Sequence, residues 1–117
     1  DSKRGVNECL DLLPRMSGLE SNQILFVIDG MRPTLYFSQE EIERAEHSFF
    51  GQMRNYFQEQ AMSRGYEVID MHPVFIERHR LDNSRFEFEI DGHWNVLGHQ
   101  IVAREVEKSD VFRSTFN

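Results

Sequence analysis

The stretch Asp91-Gly92-His93-Trp94-Asn95, followed by Gly98-His99, holds the residue types in this chain best suited to chemistry. Residues two apart in an extended segment share a face, so the Asp91 carboxylate is expected to reach the His93 imidazole. A carboxylate on one ring nitrogen fixes the tautomer and steadies the imidazolium. The other nitrogen is then left to accept a proton from a hydroxyl nucleophile. Trp94 is expected to point the other way and anchor the loop, and Asn95 to cap a following helix. A lone histidine is more often structural than catalytic; the company of Asp91, Trp94 and Asn95 singles out His93. His99, one helical turn after Asn95, reads as a packing or capping residue. His72, His79, His93 and His99 show no His-x-x-x-His spacing, and Cys9 is the only cysteine, so no metal centre or cofactor is expected.

These residues need elements to hold them. Val6, Cys9, Leu10, Leu12, Leu13 and Met16 follow the spacing of one helical face, with Pro14 set to kink or shorten the helix and Gly18 to stop it. Residues 24–28 form a continuous apolar run typical of a parallel strand covered on both faces. Asp29, Gly30, Met31, Arg32 and Pro33 end that strand in a loop. Ser38 to Glu41 has the form of a capping box, with Phe37 and Ile42 placed as a hydrophobic staple. Ile42, Ala45, Phe49, Met53, Tyr56, Phe57 and Gln60 continue at helical spacing, which predicts one long helix with Gly65 as its left-handed C-cap. Phe49, Phe50 and Phe57 are expected in the core, and Glu40, Glu41, Glu43 and Glu46 in a solvated first turn.

Residues 66–71 predict a second strand, parallel to the first across that helix. Residues 75–81 predict a helical turn. Phe86, Phe88 and Ile90 alternate with Arg85, Glu87 and Glu89, as in an extended segment with one buried face. A last helix is expected from the Asn95 cap to about residue 108, buried through Leu97, Ile101, Val102 and Val106.

The 117 residues make one domain, 1–117, below the usual size of a complete three-layer α/β enzyme. A formal charge of −7 with scattered basic residues argues against nucleic acid as a partner. No run approaches the ~20 apolar residues of a membrane span. Opening on Asp1 rather than Met fits a trimmed chain. Two parallel strands cannot complete a doubly wound sheet, so either an upstream segment supplies more strands or two copies pair edge to edge as a homodimer. In such sheets ligands gather beyond the C-terminal ends of the strands, which makes Arg32 and His72 expected substrate contacts. Arg32 suits a carboxylate or phosphate; a salt bridge within the loop is its alternative role. Asp70, at a strand end, is expected to bond to loop backbone.

Asp91-Gly92-His93-Trp94-Asn95 with Gly98-His99 and a closing amphipathic helix resembles the last block of the SGNH (GDSL-like) hydrolases. The order of elements from residue 24 to residue 106 is similar to the C-terminal half of that family. The resemblance implies a partial three-layer α/β/α, flavodoxin-like fold with few sheet strands in this chain. It also implies an ester or acyl hydrolase, or an acyltransferase, in which Asp91 and His93 are the triad acid and base and Asn95 joins Arg32 and His72 beside the substrate. A small-molecule or polymer-linked ester substrate and a bacterial extracytoplasmic setting follow from the same resemblance.

Two departures bear on that reading. Only Gly92 separates Asp91 from His93 where many members place two residues, a form that resembles the branch acting on acyl groups of cell-envelope polymers. The Gly-Asp-Ser turn bearing the nucleophile, and the Gly and Asn of the oxyanion hole, have no convincing counterpart; Asp1-Ser2 mimics only the end of such a turn. Half a site without hydrolase activity of its own is therefore expected. The alternative is a non-catalytic binding or assembly domain with the same half-fold, dimerising through its open sheet edge.

Overall fold

Helix α1, Ser2–Ser17, is capped by Asp1, whose carboxylate accepts the Arg4 N–H at 2.9 Å, and ends at Gly18 in the left-handed region. The shortening predicted at Pro14 does not occur. Proline has no N–H for the Leu10 carbonyl, and the Tyr66 hydroxyl donates to that carbonyl instead, at 2.5 Å. The computed structural model describes residues 1–32 and 34–116; Pro33, read above as part of a loop, lies outside the described residues, as does Asn117.

Strand β1, Leu25–Ile28, pairs in parallel with strand β2, Glu67–Asp70, in the register Leu25 to Glu67 through Ile28 to Asp70. Alternation sends Phe26 and Val68 to one face, against Leu10, Ala61 and Tyr66. Val27 and Ile69 go to the other, against a larger cluster that includes Met71, Phe75, Phe86 and Ile101. The chain is thus mixed α/β, mostly helical, around a small two-stranded parallel sheet. Each strand keeps one edge without a strand partner among the described residues, and no strand residue is fully buried.

The single long helix predicted across residues 39–64 is instead two, α2, Gln39–Glu46, and α3, Phe49–Ser63. Ser48 makes the break. Its hydroxyl donates to the Ala45 carbonyl at 2.5 Å and accepts the Gly51 N–H at 3.3 Å, so it competes with the helical backbone and starts a new helix. A Cβ on Gly51 would lie 2.2 Å from the Glu46 carbonyl oxygen, so only glycine lets the two helices meet this closely. The turn aims Phe49 and Phe50 outwards, 61% and 76% exposed, which overturns their expected place in the core. Phe57 does pack inwards, edge-on to Phe26 at 5.1 Å. Phe37 is exposed, so the expected staple with Ile42 buries little of its ring. At the far end Gly65 takes a positive φ and the Tyr66 N–H returns to the Ala61 carbonyl, the left-handed ending predicted there.

Helix α4, Met71–Asp82, is longer than the predicted turn and starts directly from β2. Asp70 caps it by accepting the His72 N–H at 3.0 Å, and Pro73 lies in the first turn, where a missing N–H costs no helical bond. Helix α5, Val96–Glu107, is the predicted last helix, with Ile101 and Val102 buried. A further short helix, α6, Asp110–Phe116, follows it, and its first N–H groups donate to the Glu67 carboxylate. None of the described helices is long and apolar enough to cross a membrane.

Candidate functional site

Between α4 and α5 the chain folds back on itself. The Asn95 N–H donates to the Phe86 carbonyl at 2.8 Å, the Phe88 N–H to the His93 carbonyl at 3.3 Å, and Glu87 bridges antiparallel to Trp94. The predicted extended face therefore stops after Phe88. Phe86 is buried, but Phe88 is half exposed and Ile90, in the tip of the hairpin, is 100% exposed. Glu87, expected to point out, is drawn inwards.

The tip brings Asp91 and His93 together, through a turn rather than along a strand. Oδ1 of Asp91 accepts the His93 backbone N–H at 3.0 Å and lies 2.5 Å from Nδ1 of the ring. The backbone N–H first, and then the ring, hold the Asp91 carboxyl below its ordinary value. The ring itself is open to solvent, its side chain 87% exposed. No hydrogen bond joins it to a serine or threonine hydroxyl among the described residues.

Beneath the tip lies a polar clamp. Arg32 grips Asp29, at the end of β1, with Nε to Oδ1 at 2.9 Å and Nη2 to Oδ2 at 2.7 Å. Its Nη1 donates to Glu87 at 2.9 Å and its Nη2 also to the Gly92 carbonyl at 3.0 Å. Trp94 anchors the other side of His93 as expected, its indole N–H donating to Asp29 Oδ1 at 3.0 Å. Tyr36 completes the set, its hydroxyl donating to Glu87 at 2.6 Å and accepting the Phe86 N–H at 3.0 Å. The Asp29 partnership, offset by burial, raises the Arg32 guanidinium further above its already high ordinary value.

The three expected substrate contacts are held differently. Only 10% of the Arg32 side chain is exposed and its donors face protein acceptors, which is the ion-pair role rather than the substrate role. Asn95 caps α5 by accepting the Gly98 N–H at 2.8 Å, and its amide donates to the carbonyls of Arg85 and Glu87. His72 is 2% exposed, so no substrate reaches it. It packs on Gly30, where φ is +94° and a Cβ would come within 2.6 Å of the His72 Cβ, so the loop after β1 needs glycine on both counts. The Met31 N–H donates to His72 Nδ1 at 3.3 Å. Burial, and then Arg54, lower the pKa of His72, while its Nε2 has no hydrogen-bond partner among the described residues. His99 packs edge-on against Trp94 at 5.6 Å, the packing role expected of it.

Asp29, Glu87 and Tyr36 escaped the sequence reading. Asp29 stands three residues before Arg32 at a strand end, a spacing that could have flagged an ion pair. Glu87 was hidden by the alternation around it, and nothing local marks Tyr36.

Beside the tip lies an open cleft of about 770 Å³, lined by Arg85, Phe88, Glu89, Ile90 and Asp91 above Arg32 and Glu87. A smaller recess lies between His93, Trp94 and His99. No three His, Cys, Asp or Glu side chains are grouped to hold a metal ion among the described residues. Chemically, the arrangement offers a solvent-open imidazole oriented by a carboxylate that itself lines the cleft, with no hydrogen bond to its second nitrogen among the described residues. Comparisons of the chain with models of protein families, with curated proteins and with solved structures found no match.

Proposed function

We propose that Asp91 and His93 are the acid and base of a serine-type ester or acyl hydrolase of the SGNH kind, whose hydroxyl nucleophile comes from residues outside this chain. The observation that carries the reading is the 2.5 Å contact between Asp91 Oδ1 and Nδ1 of a ring that is otherwise in solvent. With its Nδ1–H donating to Asp91, His93 presents the Nε2 lone pair outwards. A hydroxyl arriving there gives up its proton to Nε2 as it attacks an acyl carbon, and the imidazolium, steadied by Asp91, returns that proton to the leaving alcohol. A small-molecule or polymer-linked ester would lie along the cleft next to Asp91. Helices against both sheet faces and the free strand edges support a partial flavodoxin-like, three-layer framework with further strands to be added.

Acid and base without a nucleophile and oxyanion donors give little turnover, so the test belongs on the longer protein encoded with the residues upstream of Asp1. A serine-directed fluorophosphonate should label that protein, and His93→Ala should abolish both labelling and esterase activity. A longer protein that carries a strand and a Gly-Asp-Ser turn yet stays unlabelled and inactive overturns the proposal.

The free edge of the sheet favours a second reading, a non-catalytic assembly domain whose two copies pair through that edge. Sedimentation would then give a dimer, and His93→Ala would change no function of the native chain. A folded, strictly monomeric chain rules that reading out.

A further inference from the structure

We infer that Arg32 is the positioning residue of the Asp91–His93 pair, acting through the carbonyl of Gly92; the inference rests on the acid–base reading of that pair. A trans peptide is planar, and its C=O and N–H point in opposite directions. In the Gly92–His93 peptide the oxygen accepts from Arg32 Nη2 at 3.0 Å, and the N–H donates to Asp91 Oδ1 at 3.0 Å. Holding the oxygen towards Arg32 therefore holds the N–H towards Asp91. That brings one carboxylate oxygen within reach of both the backbone N–H and the ring Nδ1 of His93.

The peptide needs such a hold. Gly92 has no side chain to pack, and a Cβ placed on it would touch nothing within 4 Å, so steric contact does not define its orientation. Arg32 is itself rigid: it is forked onto Asp29, bonded to Glu87 and nearly buried. His93 is thus flanked by two tethers from one ion pair, Gly92 held by Arg32 and Trp94 held by Asp29. The backbone N–H of His93 is also the first cause of the low Asp91 carboxyl value, so that carboxyl reports on the tether directly.

The test is nuclear magnetic resonance on the isotope-labelled chain, native and Arg32→Lys, a substitution that keeps the charge and loses the fork. In native protein the Asp91 carboxyl should titrate below the ordinary carboxylate value and His93 should carry its proton on Nδ1. In Arg32→Lys the Asp91 midpoint should move up and the ring should become a mixture of tautomers. An unchanged midpoint and an unchanged tautomer in a folded Arg32→Lys chain overturn the inference. Should that variant not fold, the native chain decides. A coupling across the bond from Arg32 Nη2 to the Gly92 carbonyl supports the inference, and a freely rotating guanidinium overturns it. None of these measurements requires a nucleophile, so a longer protein that failed to react with fluorophosphonate would refute the hydrolase reading while leaving them as measured.

Discussion

Glu87 is pulled in opposite directions. Burial raises its carboxyl, but hydrogen bonds from Tyr36 and Arg32 outweigh burial and leave it below its ordinary value. Tyr36 is pushed up to about 12, first by burial and then by donating to Glu87. A tyrosine whose folded value lies above its unfolded one, 10.0, contributes stability that is complete below about pH 10 and is lost as pH rises through about 12. Spectrophotometric titration should show a late-ionising tyrosine that disappears in Tyr36→Phe, with native stability falling across that window. At Asp91, substitution by Asn keeps the size but offers the ring an N–H in place of an acceptor, which favours the wrong tautomer. In the longer hydrolase proposed above, kcat should then fall by roughly 10⁴-fold with KM little changed, as in a serine triad whose Asp becomes Asn. Steady-state kinetics checks this, and an unaltered kcat removes Asp91 from the mechanism.

The elements are held by contacts that reach across the chain. Helix α1 runs through Pro14 because Tyr66, more than fifty residues away, serves the carbonyl that proline leaves open. Tyr66→Phe strands that carbonyl and should cost about 1–3 kcal/mol in urea unfolding. The break between α2 and α3 depends on close approach at Gly51. Gly51→Ala places a methyl against the Glu46 backbone and should cost about 1–3 kcal/mol, again read from denaturant midpoints. A neutral Gly51→Ala would mean that the two helices can move apart freely. The hairpin that carries Asp91 and His93 is a weaker element. It has one bridge and a solvent-exposed tip, so its geometry depends on Arg32 and Asp29 beneath it.

Seen whole, the molecule is a slab of 41 × 38 × 23 Å with a radius of gyration of 15.5 Å, against about 13 Å for a compact domain of this length. Its surface of 7849 Å² exceeds the roughly 6,700 Å² expected of a compact monomer of this mass. The difference, on the order of 1,000 Å², is similar to what one partner buries in a standard interface, about 800 Å². Both readings of function, added strands or a second copy, would cover part of that surface. The division between core and uncovered surface is itself testable by unfolding. Phe75→Ala, within the core, should cost about 3–5 kcal/mol. Phe50→Ser, in solvent, should stay within about 0.5 kcal/mol of the native chain.

Short-range chemistry was legible in the residues alone. The apolar runs of the two strands, the Asn95 cap, the stop at Gly18, the left-handed ending at Gly65 and the pairing of Asp91 with His93 are written in neighbours within a few positions, and sequence spacing records such neighbours. Tertiary structure decided what distant residues do to one another. Local periodicity ran straight through Ser48, where the bonds of its hydroxyl to Ala45 and Gly51 end one helix and start the next. Alternation put Glu87 outside, and only a buried guanidinium arriving from the loop after β1 brought it in. A charge or a carbonyl is satisfied by whatever lies nearest in space, and for Arg32, Asp29 and Leu10 that neighbour lies 55 to 65 positions away for at least one bond.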